Sequence, residues 1–222
     1  MSMRTKFDEQ LDTLNSSLVE MGKVVEAAIS DANKALVNRD TDLAKKIIAG
    51  DDVIDDMEKE IERLCLKIIL RQQPVAGDLR LVSAVMKIIT DLERIGDHAS
   101  DISELAIFMA ETGQPYIKKL EHIPQMSEET NYMLNRSIES FVKKDIDMAK
   151  RVIAKDDVVD DLFVQIKTEL VDLMKKDTNN TDQAVDFIMI AKYFERIGDH
   201  AVNIAEWVVF SLTGVHKDSK VM

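Results

Sequence analysis

The sequence predicts an all-α fold of six long helices, arranged as two tandem, sequence-repeated three-helix bundles. Three observations carry this. The 222 residues include only 3 Pro and 7 Gly, the residue types that interrupt helices. Apolar residues recur with the alternating four- and three-residue spacing of a helical stripe. And the chain repeats itself.

The repetition is in two blocks. Asp40–Asp56 reads DTDLAKKIIAGDDVIDD and Asp145–Asp161 reads DIDMAKRVIAKDDVVDD, identical at 11 of 17 positions. Further on, Glu93–Ala99 and Glu195–Ala201 both read ERIGDHA. The offset between copies is 105 in the first block and 102 in the second, so the difference falls at the connector between them, RQQPVAGD in one copy and KKDTNNTD in the other. Connectors tolerate such changes and helices do not. Two matching blocks in the same order mark a duplication.

The elements follow in order. A first helix from about Thr5 to Val37 carries the stripe Leu11, Leu14, Leu18, Met21, Val25, Ala28 and Ile29. Asp40 or Thr41 caps a second, striped by Ile47, Ile54, Met57, Ile61, Leu64 and Ile68 and stopped by Pro74. The third starts at Asp78 after Gly77, with Ile88, Leu92, Ile95, Ala99, Ile102, Ala106 and Met109 on one face. Gly113 and Pro115 separate the units, giving repeats at 1–114 and 115–222. The counterpart of the first helix, near Met126–Val142, is shorter or begins before Pro124. Asn180 or Thr181 opens the last helix, where Ile190, Phe194, Ile197, Ala201, Ile204 and Val208 repeat the third helix's stripe. Residues after Gly214 are polar and read as frayed. Short connectors force neighbouring helices antiparallel.

Composition narrows the function. A net charge of −12, with no Lys/Arg cluster breaking the trend, repels a phosphate backbone and sets nucleic acid aside. No apolar run is long enough to span a bilayer, and the start MSMRTKFDEQ has no secretion signal, so a cytoplasmic location is expected, with room for a peripheral place at the inner face of the membrane through partners. The single cysteine, Cys65 between Leu64 and Leu66, reads as a small core hydrophobe.

Two acidic patterns look chemical. Asp51/Asp55 recurs as Asp156/Asp160, with a competing register at Asp52/Asp56 and Asp157/Asp161; Glu93/Asp97 recurs as Glu195/Asp199. Acids four apart project from one helix face at about 5–6 Å, where like charges are mildly destabilising. All of them lie off the apolar seam. If the second and third helices pack antiparallel, one pair from each meets the other, and four carboxylates call for a counter-charge. Oxygen-only ligation suits Mg²⁺, Ca²⁺, Mn²⁺ or ferric iron. A solvated face balanced by Arg94 and Arg196 fits the same spacing. His98 and His200 follow an Asp directly and so turn about 100° away from it, which reads as exposed or partly packed. Gly96 and Gly198 cost about 1 kcal/mol inside a helix, so a neighbouring helix is expected to come close there. A carboxylate-bridged di-iron oxidase would need Glu-x-x-His pairs aimed into a bundle, and the sequence has none.

Two copies of ERIGD-x-A, each behind a helix reading D-D-x-[IV]-D-D, together with the QPVAGDLR connector, resemble the PhoU family of phosphate-transport accessory and regulatory proteins. The resemblance runs from Asp8 to about Leu212. It implies two three-helix bundles, a homodimer, and a non-enzymatic negative regulator of phosphate uptake and phosphate-starvation signalling. The partners it implies are the ATPase subunit of a phosphate ABC transporter and a sensor histidine kinase. Some members bind multinuclear metal clusters through paired [ED]-x-x-x-D motifs. The matching positions are Asp51, Asp55, Glu93 and Asp97, then Asp156, Asp160, Glu195 and Asp199, with iron, zinc, manganese or magnesium as the implied metal.

Overall fold

The computed structural model describes residues 3–119, 121–217 and 219–220. It contains six long helices: α1 (Met3–Asn38), α2 (Thr41–Gln72), α3 (Gly77–Glu111), α4 (His122–Lys143), α5 (Ile146–Lys176) and α6 (Thr181–Thr213). Helices α1–α3 form one antiparallel bundle and α4–α6 the other. The two bundles pack through α3 against α6 and α1 against α4. The striped residues of α3 and α6 are all buried, none more than 2% exposed, and a single apolar cluster runs through both bundles.

The ends of the helices follow local chemistry. Asp40 accepts from the Leu43 backbone N–H at 2.9 Å, and Asp145, its repeat counterpart, accepts from Met148 at the same distance. Each cap supplies an acceptor to a first-turn donor that has no partner inside the helix. The residue before each cap, Arg39 and Lys144, is left-handed, at φ 56° and 53°. Arg39 uses that corner: its guanidinium donates to the Met109 and Ala110 carbonyls at 3.2 and 3.3 Å and lies 4.9 Å over the Tyr116 ring. The α1–α2 corner is thereby tied to the end of α3 and to the connector between bundles.

α4 begins at His122, before Pro124, which a helix's first turn accommodates because the N–H that proline lacks has no intrahelical acceptor there. A short 3₁₀ turn, Thr178–Asn180, precedes α6. The tail corrects the expectation of fraying. Gly214 ends α6 in the left-handed conformation, and Val215–His216 then pairs antiparallel with Ser219–Lys220. The His216 ring stacks on Trp207 at 3.9 Å, and Lys217 pairs with Glu206 at 3.1 Å, so ring contact and charge hold this ribbon onto α6. Residues 218, 221 and 222 lie outside the described residues.

Candidate functional site

Each acidic group is assembled where an α2-type helix crosses an α3-type helix. Ile54 and Val159 sit in the buried seam, at 2% and 0% exposure, so Asp51/Asp55 and Asp156/Asp160 flank it. Gly96 and Gly198 lie opposite. A Cβ at Gly96 would stand 2.8 Å from Ile54 Cδ1 and 3.3 Å from Asp51 Oδ1; at Gly198 it would stand 3.3 Å from Asp156 Oδ1 and 3.4 Å from Val159 Cγ1. The glycine of each ERIGDHA string is therefore the point where a carboxylate of one helix rests on the backbone of the next. Glu93 and Asp97, or Glu195 and Asp199, stand on either side of it. The competing Asp52, Asp56, Asp157 and Asp161 are exposed. Asp51, Asp55 and Asp156 are half-buried, with Asp160 at the open rim.

The titration behaviour registers the crowding. Burial, then repulsion from Asp97, Asp55, Asp52 and Asp101, pushes the Asp51 carboxyl up to about 6. Burial, then Asp160, Asp199 and Glu195, pushes Asp156 up to about 6. Glu93 is raised by burial and then by Asp97. Asp160 and Asp199 are raised by desolvation and then by Glu195. Repulsion thus couples acids of α2 with acids of α3, and acids of α5 with acids of α6.

Cations within the chain meet part of this charge. Arg94 bonds Asp97 at 2.9 Å, Lys59 reaches Asp55 at 3.4 Å, and Lys192 pairs with Glu195. Lys192 takes the place that Thr90 holds in the first repeat, where Thr90 donates instead to Glu58 at 3.1 Å. With the carboxylates drawn toward these cations, no three His, Cys, Asp or Glu side chains among the described residues converge as a metal set. The first group nevertheless leaves one oxygen poorly matched. Glu93 Oε2 is buried without a hydrogen bond, with Arg94 Nε at 3.4 Å, whereas its repeat counterpart Glu195 Oε2 is held by the Lys192 ammonium. A buried acceptor left unmatched is costly. A carboxylate oxygen without a hydrogen bond, beside other carboxylates, is what a hard cation takes up.

His98 and His200 are partly packed, as expected, but their packing is against each other. His98 and His200 meet at the seam between the bundles, ring centroids 5.7 Å apart. His200 Nδ1 lies 2.8 Å from Asp91 Oδ1, which also accepts from Asn203 at 3.3 Å. His98 contacts the Tyr193 ring at 5.5 Å and Asp101 at 3.3 Å. Asp91 and Tyr193 are the same repeat position, as are Asp101 and Asn203, so the two halves of the seam differ by exchange. A signal was available. When two copies of one helix cross antiparallel near a pseudo-twofold axis, equivalent positions by that axis meet each other.

Fold and site together define a class: duplicated all-helical proteins whose two bundles each carry an outward carboxylate group anchored on a motif glycine. The family model described as the PhoU domain matches residues 18–106 and again 123–208. The chain belongs to the PhoU family. It is similar to the phosphate-specific transport system accessory protein PhoU homolog of Clostridium acetobutylicum, 38% identical with 97% of this chain and 98% of that one covered. It is also similar to the accessory protein PhoU of Escherichia coli K12, 35% identical over 94% of this chain and 86% of that one. Two solved structures superpose closely, each with a TM-score of 0.89. PhoU from Pseudomonas aeruginosa is 35% identical over 94% of this chain and 100% of that chain. The phosphate transport system regulatory protein PhoU from Streptococcus pneumoniae is 28% identical over 96% and 100%.

Proposed function

We propose that this protein is a non-enzymatic accessory regulator of phosphate transport, restraining uptake and phosphate-starvation signalling when phosphate is ample. The observation that carries the reading is similarity spanning nearly the whole length of both chains to proteins named for that role. Its partners are the transporter's ATPase subunit and a sensor histidine kinase. Among the described residues no helix is long and apolar enough to cross a membrane, which agrees with action through partners that do. The test is a deletion strain in phosphate-rich medium. Raised phosphate accumulation or starvation-reporter output is expected; normal values of both would sink the reading.

The two acidic groups are proposed as cation sites, Asp51, Asp55, Glu93 and Asp97 in the first bundle and Asp156, Asp160, Glu195 and Asp199 in the second. The buried Glu93 oxygen without a hydrogen bond supports it in the first bundle, and the crowding that raises Asp156 supports it in the second. A multivalent cation would turn mutual repulsion into bridging ligation. Binding to the folded state alone raises the melting temperature with metal concentration by mass action. We expect that response with Mn²⁺, iron, Zn²⁺ or Mg²⁺, and a halved metal stoichiometry when Glu93→Gln and Asp97→Asn are combined. A wild-type melting temperature indifferent to all four metals would leave two solvated acidic faces and no site.

A further inference from the structure

The corner between α2 and α3 departs from the rest of this acidic molecule. From Arg63 to Gly77 the chain has no Asp or Glu, while Arg63, Lys67 and Arg71 recur at four-residue steps. Leu66 and Leu70 share that spacing, so five side chains occupy one arc of α2, turned away from the buried Ile61, Cys65 and Ile68. Leu70 is 78% exposed and Val75, in the turn, 74%. We propose that this corner is a docking surface for the anionic headgroups of a lipid bilayer.

Three features support it. First, Arg63, Lys67, Arg71 and the nearby Arg80 make no ion pair among the described residues, although the chain carries 41 acidic residues against 29 basic ones. Second, the duplication provides an internal control, because what the fold requires must appear in both copies. Leu66, Lys67 and Leu70 correspond to Val171, Asp172 and Lys175, and there Lys175 pairs with Asp172 at 3.1 Å. The second corner is polar and self-neutralised. Third, Gln73 and Ala76, at positive φ of 48° and 47°, reverse the chain around the exposed Val75, so the corner lies at one end of the bundle.

Each feature has a plain reading that falls short. A cation in the last turn complements the helix dipole, which accounts for Arg71 but reaches neither Arg63 nor Lys67. Single exposed aliphatics are ordinary, whereas these adjoin one another with cations interleaved. That is the chemistry of an interfacial contact, in which aliphatic side chains enter the headgroup boundary and cations meet phosphodiesters. A corner at the end of a helix pair, with Val75 exposed in its turn, also suits a broad, near-planar partner. The net charge of −12 does not forbid the approach, since charges more than about 8 Å from the surface are screened at physiological salt.

The test is co-sedimentation of the full chain, in chelator, with phosphatidylcholine vesicles with and without phosphatidylglycerol. It contains no transporter, kinase or metal, so its outcome is independent of the phosphate reading. Binding is expected only with phosphatidylglycerol, and weakened by salt. Combining Arg63→Gln, Lys67→Gln and Arg71→Gln should weaken it on the order of 100-fold, from about 1 kcal/mol per cation. Leu70→Ser with Val75→Ser should weaken it as well, and Lys175→Gln with Lys176→Gln should leave it unchanged. All these positions are on exposed helix faces or in the turn, and unchanged circular dichroism melting will verify folding. Absence of binding to anionic vesicles, or equal binding by the triple variant, overturns the proposal. So does capture on an immobilised acidic peptide without vesicle binding, which would assign the corner to a protein partner.

Discussion

Asp51 and Asp156 hold their protons to about pH 6 in the folded protein, against a usual carboxyl value of 3.8. The unfolded chain therefore binds fewer protons than the folded one between about pH 4 and 6, and these two groups make stability fall as pH rises through that window. The prediction concerns the metal-free protein. Asp51→Asn or Asp156→Asn should flatten that slope and raise the melting temperature at neutral pH by about 2–4 °C, the equivalent of about 1 kcal/mol after allowing for solvent screening. Melting in chelator from pH 4 to 7 measures it. A lower melting temperature for both variants at neutral pH would mean that the carboxylates are held by favourable bonds and not by crowding. Gly96 belongs to the same residue-scale argument, because any side chain there would displace Asp51 or Ile54.

The helix ends show how the duplication was kept at the scale of elements. Both short connections into α2 and α5 use the same device, a left-handed Arg or Lys followed by an Asp cap. Removing such a cap costs about 1 kcal/mol. Asp40→Ala and Asp145→Ala should each cost about that much, and the double variant about twice as much, since the caps share no partner. Chemical denaturation measures this. A clearly less than additive double variant would indicate that the two corners are energetically coupled.

At the scale of the molecule, the two bundles are two by ancestry and one by packing. The apolar cluster is continuous across α3 and α6, Tyr116 of the connector packs edge-on to Phe187 at 5.2 Å, and Asn131 of α4 donates to Ser30 of α1 at 2.9 Å. Neither bundle closes its core without the other. Calorimetry of the metal-free protein should show one transition with matching calorimetric and van't Hoff enthalpies. Two resolved transitions would contradict a shared core.

The helices, their stripes, their caps and the duplication were legible because each depends on residues close in sequence. A 3.6-residue period assigns the buried face, and an Asp three residues before an amide caps it, whatever lies elsewhere. The pairing of acids four apart was legible for the same reason. Sequence spacing left Asp51/Asp55 and Asp52/Asp56 equivalent, because both pairs are four apart on one helix. Only the close approach of α3 at Gly96 distinguishes them, by turning Asp51 onto a neighbouring backbone. His98 and His200, 102 positions apart, could not be joined by any local period. Their meeting depends on how two whole helices cross, which is decided by the apolar surface that α3 and α6 bury together and not by the residues beside either histidine.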